Sequence, residues 1–335
     1  MNHKFIDYLN FTSSDYHLTA LKVVSSQTVV RRLSSLLIAL TMLSLTSCED
    51  VFKLDVPKTD PYLVVDGTIT NVAGEQTMKL SKSQALTVEG FAEGFKGATV
   101  TVTDNTGKIY EFKDLTNTGK YVWKPVIATD IMGAVGKTYS LEIKVDGETY
   151  KAVSELRRVP KIDSMTFKLD DANLRQKGDG KPDKGYDGRF YATDLKGVGD
   201  CYRIKVYKND RLYTSSDRII IAYDAIGTKS PFGDGLPFIR PLRFLASTEL
   251  YKENDKVRVE LLSITEAHFD FWTQLRTELN NTGLFATPAA RIPSNINNIN
   301  ANSTKQAAGW FGTSAVSSME MVIDKNKAVK EFAQE

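Results

Sequence analysis

Histidine and cysteine are the scarce residues of this 335-residue chain, with three of the first and two of the second. Zinc sites need such ligands in clusters, and Cys48 and Cys201 stand far apart outside any such spacing. No nucleophile–base pair, metal-ligand set or phosphate loop is visible, so no catalytic residue, metal or cofactor is assigned. Charge of one sign is also missing. The chain has 43 Lys and Arg against 41 Asp and Glu, which leaves no electrostatic footprint for nucleic acid. Long apolar runs are absent too. The longest, Leu33 to Leu45, falls short of the roughly 20 apolar residues of a membrane-spanning helix and is rich in serine and threonine.

That run has another reading. Arg31-Arg32 precede it and Leu45-Thr46-Ser47-Cys48 closes it. A charged flank, a short apolar stretch and a small-residue cleavage site, in that order, form a signal peptide. The closing tetrad reads as a lipobox, so residues 1–47 are expected to be removed and Cys48 to carry the lipid anchor. Glu49 and Asp50 follow at once. This acidic pair starts a solvated tether over 48–58, and it also resembles the export signal that carries lipoproteins to the outer face of the cell in Bacteroidetes. Lys4, Lys22, Arg31 and Arg32 leave with the leader, as do Asp7 and Asp15, so 39 of the 43 basic and 39 of the 41 acidic residues remain. His3 and His17 leave as well, and any His-based site rests on His268 alone. Carboxylate acid–base chemistry stays open.

Residues 59–158 read as strands. "PYLVVDGTIT" from Pro61 alternates Leu63, Val65 and Ile69, with Asp66-Gly67 as a turn or bulge signal. "TMKLSKS" alternates Met78 and Leu80, and "GATVTVTDNTGKIYEF" is a hairpin turning between Asp104 and Gly107. "GKTYSLEIKVDGETYKAVSEL" alternates Tyr139, Leu141, Ile143 and Val145 up to the Asp146-Gly147 turn. Strands at this spacing predict an antiparallel β-sandwich of the immunoglobulin or fibronectin kind, with Tyr121, Trp123 and Tyr139 in its core.

The runs "LVVDGTITN", "KLSKS", "GATVTVTDNTGKIYEF", "GKYVW", "GKTYSLEIKVDGETYKAVSE" and "VPKIDSM" carry a resemblance. Together they are similar to a Bacteroidetes lipoprotein family known only as domain of unknown function 4249. Its members are commonly encoded beside TonB-dependent receptors. The resemblance extends over nearly all of the chain after Cys48, including "FATPAARIPSNI" and "GWFGTSAVSS". It implies a cell-envelope lipoprotein and brings no catalytic residues.

Residues 159–323 read as a second antiparallel sandwich, set off by Pro160. Lys168 to Gly188 is a charged, Gly-rich surface loop. Asp179, Asp183 and Asp187 recur in it at a spacing unlike that of calcium loops, which place oxygens at every second residue. "CYRIKVYKNDRLY" from Cys201 is a hairpin turning at Asn209-Asp210, with Cys201 as a small packed residue. "RIIIAYD" is a buried strand. The loop "GTKSPFGDGLPFIRPL" either contacts a partner through Phe232, Phe238 and Ile239 or covers the end of the sandwich. After the alternating "DKVRVELLSIT", the period changes. Phe269, Trp272, Leu275 and Leu279 predict an amphipathic helix over 266–280, capped by Ser263 or Thr265 and packed on the second sandwich. His268 falls beside its apolar face as a half-buried side chain. The Asn-rich stretch that follows is a loop, Ala315 to Ile323 the last strand, and 324–335 a polar tail with a frayed helix.

The expected protein is therefore an all-β outer-membrane lipoprotein of two antiparallel sandwiches, one carrying a helix. Its expected role is a non-catalytic binding or accessory module beside a TonB-dependent transporter in nutrient capture, facing the cell surface, with its ligand open. A structural or adhesive spacer is the alternative, because sandwiches host both.

Overall fold

The computed structural model describes residues 60–332 apart from 85–87, 89, 172–183, 213–218, 243–249, 282–286 and 289, together with Arg31 and Ser34. The expected signal peptide apart from Arg31 and Ser34, and Cys48, Glu49 and Asp50, lie outside the described residues, as do Asp179 and Asp183. Residues 59–335 form one compact unit, separate from 1–58. Among the described residues no helix is long and apolar enough to cross a membrane.

The first half supplies β1 (Leu63–Thr70), β2 (Gln76–Lys82), β3 (Thr99–Asp104), β4 (Ile109–Phe112), β5 (Lys120–Trp123), β6 (Thr138–Val145) and β7 (Glu148–Glu155). The second half supplies β8 (Ile162–Asp171), β9 (Lys184–Thr193), β10 (Cys201–Lys208), β11 (Arg211–Leu212), β12 (Ile220–Tyr223), β13 (Pro237–Pro241) and β14 (Lys256–Ile264). Helix α1 (Glu266–Asn280) comes next, followed by β15 (Asn297–Asn298), β16 (Ala307–Ser314) and β17 (Val316–Val322).

The described strands form four sheets. Sheet I has the order β16-β1-β2-β5, sheet II β15-β7-β6-β3-β4 and sheet III β13-β9-β8. Sheet IV runs β11-β10-β14-β17, with β12 also on β10. Alternation along each strand sends every second side chain to one face. Leu63, Val65, Ile69, Met78, Leu80 and Tyr121 of sheet I meet Val102, Tyr139, Leu141 and Ile143 of sheet II in one core. Phe167, Phe190 and Phe238 of sheet III meet Tyr202, Ile204, Val206, Val257 and Val259 of sheet IV in another. The protein is all-β, of sandwich type.

The first core is pinned by its tyrosines. The Tyr139 hydroxyl donates to the Met132 carbonyl at 3.0 Å and accepts from the Ala134 N–H at 2.9 Å. Tyr121 does the same between the Phe95 carbonyl and the Ala98 N–H. Trp123 sits at the rim, edge-on to Tyr110. Asp146 and Gly147 both have positive φ, 48° and 75°, as do Asn209 and Asp210, 50° and 64°. That is the backbone a two-residue hairpin requires. Asp66-Gly67 makes no turn: both residues pair regularly inside β1, with Lys79 and Met78.

The division of the chain at 158/159 is crossed by its C-terminal part. Residues 307–314, placed in the second sandwich by sequence, pair with β1 through eight residues in parallel and complete sheet I. Asn297 and Asn298 extend sheet II through β7, and Ile296, Ala307, Phe311 and Ala315 are buried in the first core. A parallel pair needs a long crossover. Here the connection from Thr70 to Ala307 takes in the rest of the first sandwich and most of the second, so this pair is parallel where the other described strand pairs are antiparallel. The chain then passes from sheet I to sheet IV across Ala315. The Ser263 hydroxyl accepts from the Ala315 N–H at 2.8 Å and donates to the Arg157 carbonyl at 2.7 Å, stitching the passage to both halves.

Other segments expected to be irregular are ordered against sheet III. Lys168 to Asp171 and Lys184 to Gly188 belong to β8 and β9, and Asp187 is buried. The proline-rich loop contains β13 at a sheet edge, where proline is tolerated. Phe238 is core, while Phe232 is exposed. The tail is held as well: the Val329 N–H donates to the Phe167 carbonyl, and the Arg189 guanidinium lies 4.3 Å from the Phe332 ring centroid.

Candidate functional site

The strands of sheet I bury one parity of side chains and turn the other outward. Val64, Asp66, Thr68 and Thr70 of β1, Thr77 and Lys79 of β2, and Ala308 and Trp310 of β16 share the outward face. Sheet IV does the same. On β10, Tyr202, Ile204 and Val206 enter the second core, whereas Cys201, Arg203 and Lys205 look the other way. The two outward faces border a cleft of about 1240 Å³, and α1 supplies one wall.

Helix α1 starts where expected. Thr265, with extended backbone, caps it by accepting from the His268 N–H at 3.2 Å. Ser263, the other expected cap, serves the Ala315 passage instead. The Lys229 ammonium, in the loop between β12 and β13, ties that loop to the start of α1 through Glu266 at 2.7 Å and Asp270 at 2.8 Å. The buried stripe differs from the expected one: His268, Phe269 and Phe271 are buried, Trp272 and Leu275 are half-buried, and Leu279 is exposed. Phe269 packs with Cys201, Ile221 and Ile264 on sheet IV. His268, Phe271, Trp272 and Leu275 line the cleft.

His268 is buried, not half-buried, and lies in an aromatic stack. Its ring is 5.3 Å from Trp310 at 13° and 5.5 Å from Trp272 at 29°. Two glycines of β16 make this possible. At Gly312 a Cβ would sit 2.6 Å from His268 Cε1, so the imidazole rests on bare backbone. At Gly309 φ is +84° and a Cβ would lie 2.0 Å from the Val65 carbonyl oxygen, so only glycine lets β16 approach β1. Burial, with the nearby Arg203 and Lys205 charges, pushes the His268 imidazole down to about 3 and keeps it neutral at physiological pH. Among the described residues His268 Nδ1, Trp272 Nε1 and Trp310 Nε1 are buried without a hydrogen-bond partner.

The Arg203 guanidinium lies 3.7 Å from the Trp272 ring centroid, a cation–π contact. Burial lowers it to about 10. Burial also lowers Lys205, helped by the Arg203 charge. Lys79 and Arg291 join them along the cleft, where Asp66 is the one carboxylate among the described residues. None of the four cations pairs with a carboxylate among the described residues. A smaller pocket of about 660 Å³, between Tyr62, Phe95, Tyr150 and Lys305, lies at one end of the first sandwich.

The remaining sequence candidates fall elsewhere. Cys201 is packed, and burial pushes its thiol up to about 12, far from a nucleophile at neutral pH. Among the described residues no group of three or more His, Cys, Asp or Glu converges as a metal site. Buried Asp194 and Asp224 form a polar knot used by the fold. Asp194 accepts from Tyr202 and the Gly235 N–H, and Asp224 accepts from the Gly199 and Asp200 N–H groups. Sequence reasoning did not single out Arg203, Lys205 or Trp310. Arg203 and Lys205 alternate with core residues as on any half-exposed strand, and the signal that they face another sheet is tertiary.

No curated protein matches the chain. The family profile described as domain of unknown function (DUF4249) matches residues 49–320, a span that takes in both sandwiches, α1 and every cleft residue named above. This chain belongs to that family, the domain of unknown function DUF4249.

Proposed function

We propose that the protein is a non-catalytic binding module, a lipoprotein anchored through Cys48 at the bacterial outer membrane, working beside a TonB-dependent transporter in nutrient capture. The observation that carries the binding role is the cleft between the outward faces of sheets I and IV. Concave, partly aromatic sites with a few convergent polar groups are where ligands bind, and this one gathers the rings of His268, Phe271, Trp272 and Trp310 with the cations Lys79, Arg203, Lys205 and Arg291. A spacer protein has no use for such a site.

The anchor and compartment are supported by the order Arg31-Arg32, apolar run, Leu45-Thr46-Ser47-Cys48, and by Glu49-Asp50 behind it. The family match also begins at Glu49, directly after the proposed lipidated residue. The Bacteroidetes origin and the transporter partner rest on the family resemblance. One acyl chain holds a protein only marginally to a bilayer, so the anchor needs the two or three chains of a mature lipoprotein. The test is metabolic labelling with a tagged fatty acid, followed by membrane fractionation. The parent should label and sediment with the outer membrane, and Cys48→Ala should persist as unlabelled precursor. Equal labelling of the two overturns the anchor.

A further inference from the structure

The cleft is specific enough in its chemistry to name a ligand class. We infer that it binds an organic anion with a planar apolar body, such as an aromatic carboxylate. The planar part would stack among Trp272, Trp310 and Phe271, and the acid group would meet Arg203 and Lys205. This deepens the binding-module reading and rests on it.

Three independent observations converge. The first is charge. Outside the leader, basic and acidic residues balance at 39 each, yet among the described residues the cleft holds Lys79, Arg203, Lys205 and Arg291 against Asp66 alone. Such a local excess, between low-dielectric walls, focuses attraction on an anion. A neutral sugar would gain nothing from it. The second is the state of the buried polar atoms. His268 is 3% and Trp310 9% exposed, both line the cleft, and neither His268 Nδ1 nor Trp310 Nε1 has a partner among the described residues. More than nine in ten buried polar groups are normally satisfied; here these polar edges are closed to solvent, so what the stack offers a ligand is its ring faces. The third is preorganisation. The Arg203 guanidinium is held at 3.7 Å from the Trp272 ring centroid, and the His268–Trp310 stack is fixed by Gly312 below it. Cation and platform are in place before a ligand arrives, which removes much of the ordering cost of binding.

The cleft's size agrees. About 1240 Å³ is somewhat more than the roughly 300–1,000 Å³ of ordinary small-molecule sites. It is room for a fused-ring acid or a larger conjugate.

The test uses a matched probe pair, 1-anilinonaphthalene-8-sulfonate, which is anionic, and N-phenyl-1-naphthylamine, its neutral counterpart. The protein is the full chain carrying Cys48→Ala. Among the described residues the cleft contains none before Tyr62, so the readout is separate from the test of the anchor. Two of the three tryptophans, Trp272 and Trp310, line the cleft, and energy transfer from them reports occupancy. The anionic probe should bind more tightly than the neutral one and weaken as salt rises. Arg203→Gln with Lys205→Gln should weaken the anionic probe by about tenfold or more, the order of a lost charge-assisted contact. The neutral probe should change little. Lys79→Gln, at an exposed position of β2, should weaken the anion more modestly without touching the packing. If the two probes bind alike and neither variant discriminates between them, anion recognition is overturned. If neither probe binds the folded protein, the cleft is not a ligand site at all, and the binding-module reading loses its carrying observation while the anchor stands or falls by its own test.

Discussion

The two sandwiches differ in how they are closed. The second, sheets III and IV, draws every buried residue of its core from positions 162–323. The first, sheets I and II, takes most of its core from residues before Leu156, yet Ile296, Ala307, Phe311 and Ala315 reach it from the far end of the chain. Its sheet I is finished only when β16 docks in parallel on β1. Separate cores therefore do not make separate folding units. A segment of about 100 residues with its own alternating strands looks independent, and here it is left with an unpaired edge and missing core until the rest of the chain returns. The same return puts Trp310 beside His268, so closing the first sandwich and building the cleft are one event.

The largest expected effect follows directly. A fragment spanning Asp55 to Val159 should lack a cooperative unfolding transition by circular dichroism or calorimetry, because its β1 edge and its core are both open. A sharp transition in that fragment would show the first sandwich to be self-sufficient. Within the whole chain, Phe311→Ala should destabilise by about 3–5 kcal/mol, as for other large aromatics removed from a core. The chemical-denaturation midpoint checks it. A near-parental midpoint would mean that β16 is an accessory to sheet I and not part of its closure.

Titration should also tell the two regions apart. His268 is held low by burial, then by Arg203 and Lys205, at about 3 against an ordinary 6.5. Its contribution is fully present above pH 6.5 and is lost as pH falls from there toward 3, because the unfolded chain takes the proton and the fold does not. The slope should reach about 1.4 kcal/mol per pH unit, and His268→Phe should flatten it. Asp104 acts in the first sandwich. Burial raises its carboxyl, but bonds from the Lys137 ammonium at 2.7 Å, from Thr106 and from the Lys108 N–H hold it well below the usual range. Its contribution is present above about pH 4 and is lost at more acid pH, so Asp104→Asn should leave the window between pH 4 and 6.5 unchanged. A parental curve for His268→Phe in that window would remove the imidazole as the source. The smallest effect belongs to the helix cap. Thr265→Ala should lower stability by about 1 kcal/mol, measured by thermal denaturation, and should leave the first core intact. A loss of several kcal/mol would mean that the first turn of α1 holds the two halves together.

What the sequence determined by itself is local. Period-two alternation marked β1, β2, β6, β10 and β14, and Asp146-Gly147 and Asn209-Asp210 marked the hairpins after β6 and β10, because side-chain parity and positive φ leave a direct trace in residue order. The change to period 3.6 after Ile264 marked helix 266–280 to its end residues. The tertiary structure decided the rest. Strand β16 was hidden because Gly309 and Gly312 break the alternation of "AAGWFGTS", and those glycines are there for neighbours distant in sequence, Val65 and His268. The cleft was hidden because Arg203 and Lys205 read as an ordinary solvated face until a second sheet lies opposite. Pairing across more than two hundred residues leaves no periodic mark in the sequence. The site depends on that pairing, and its residues became recognisable only together.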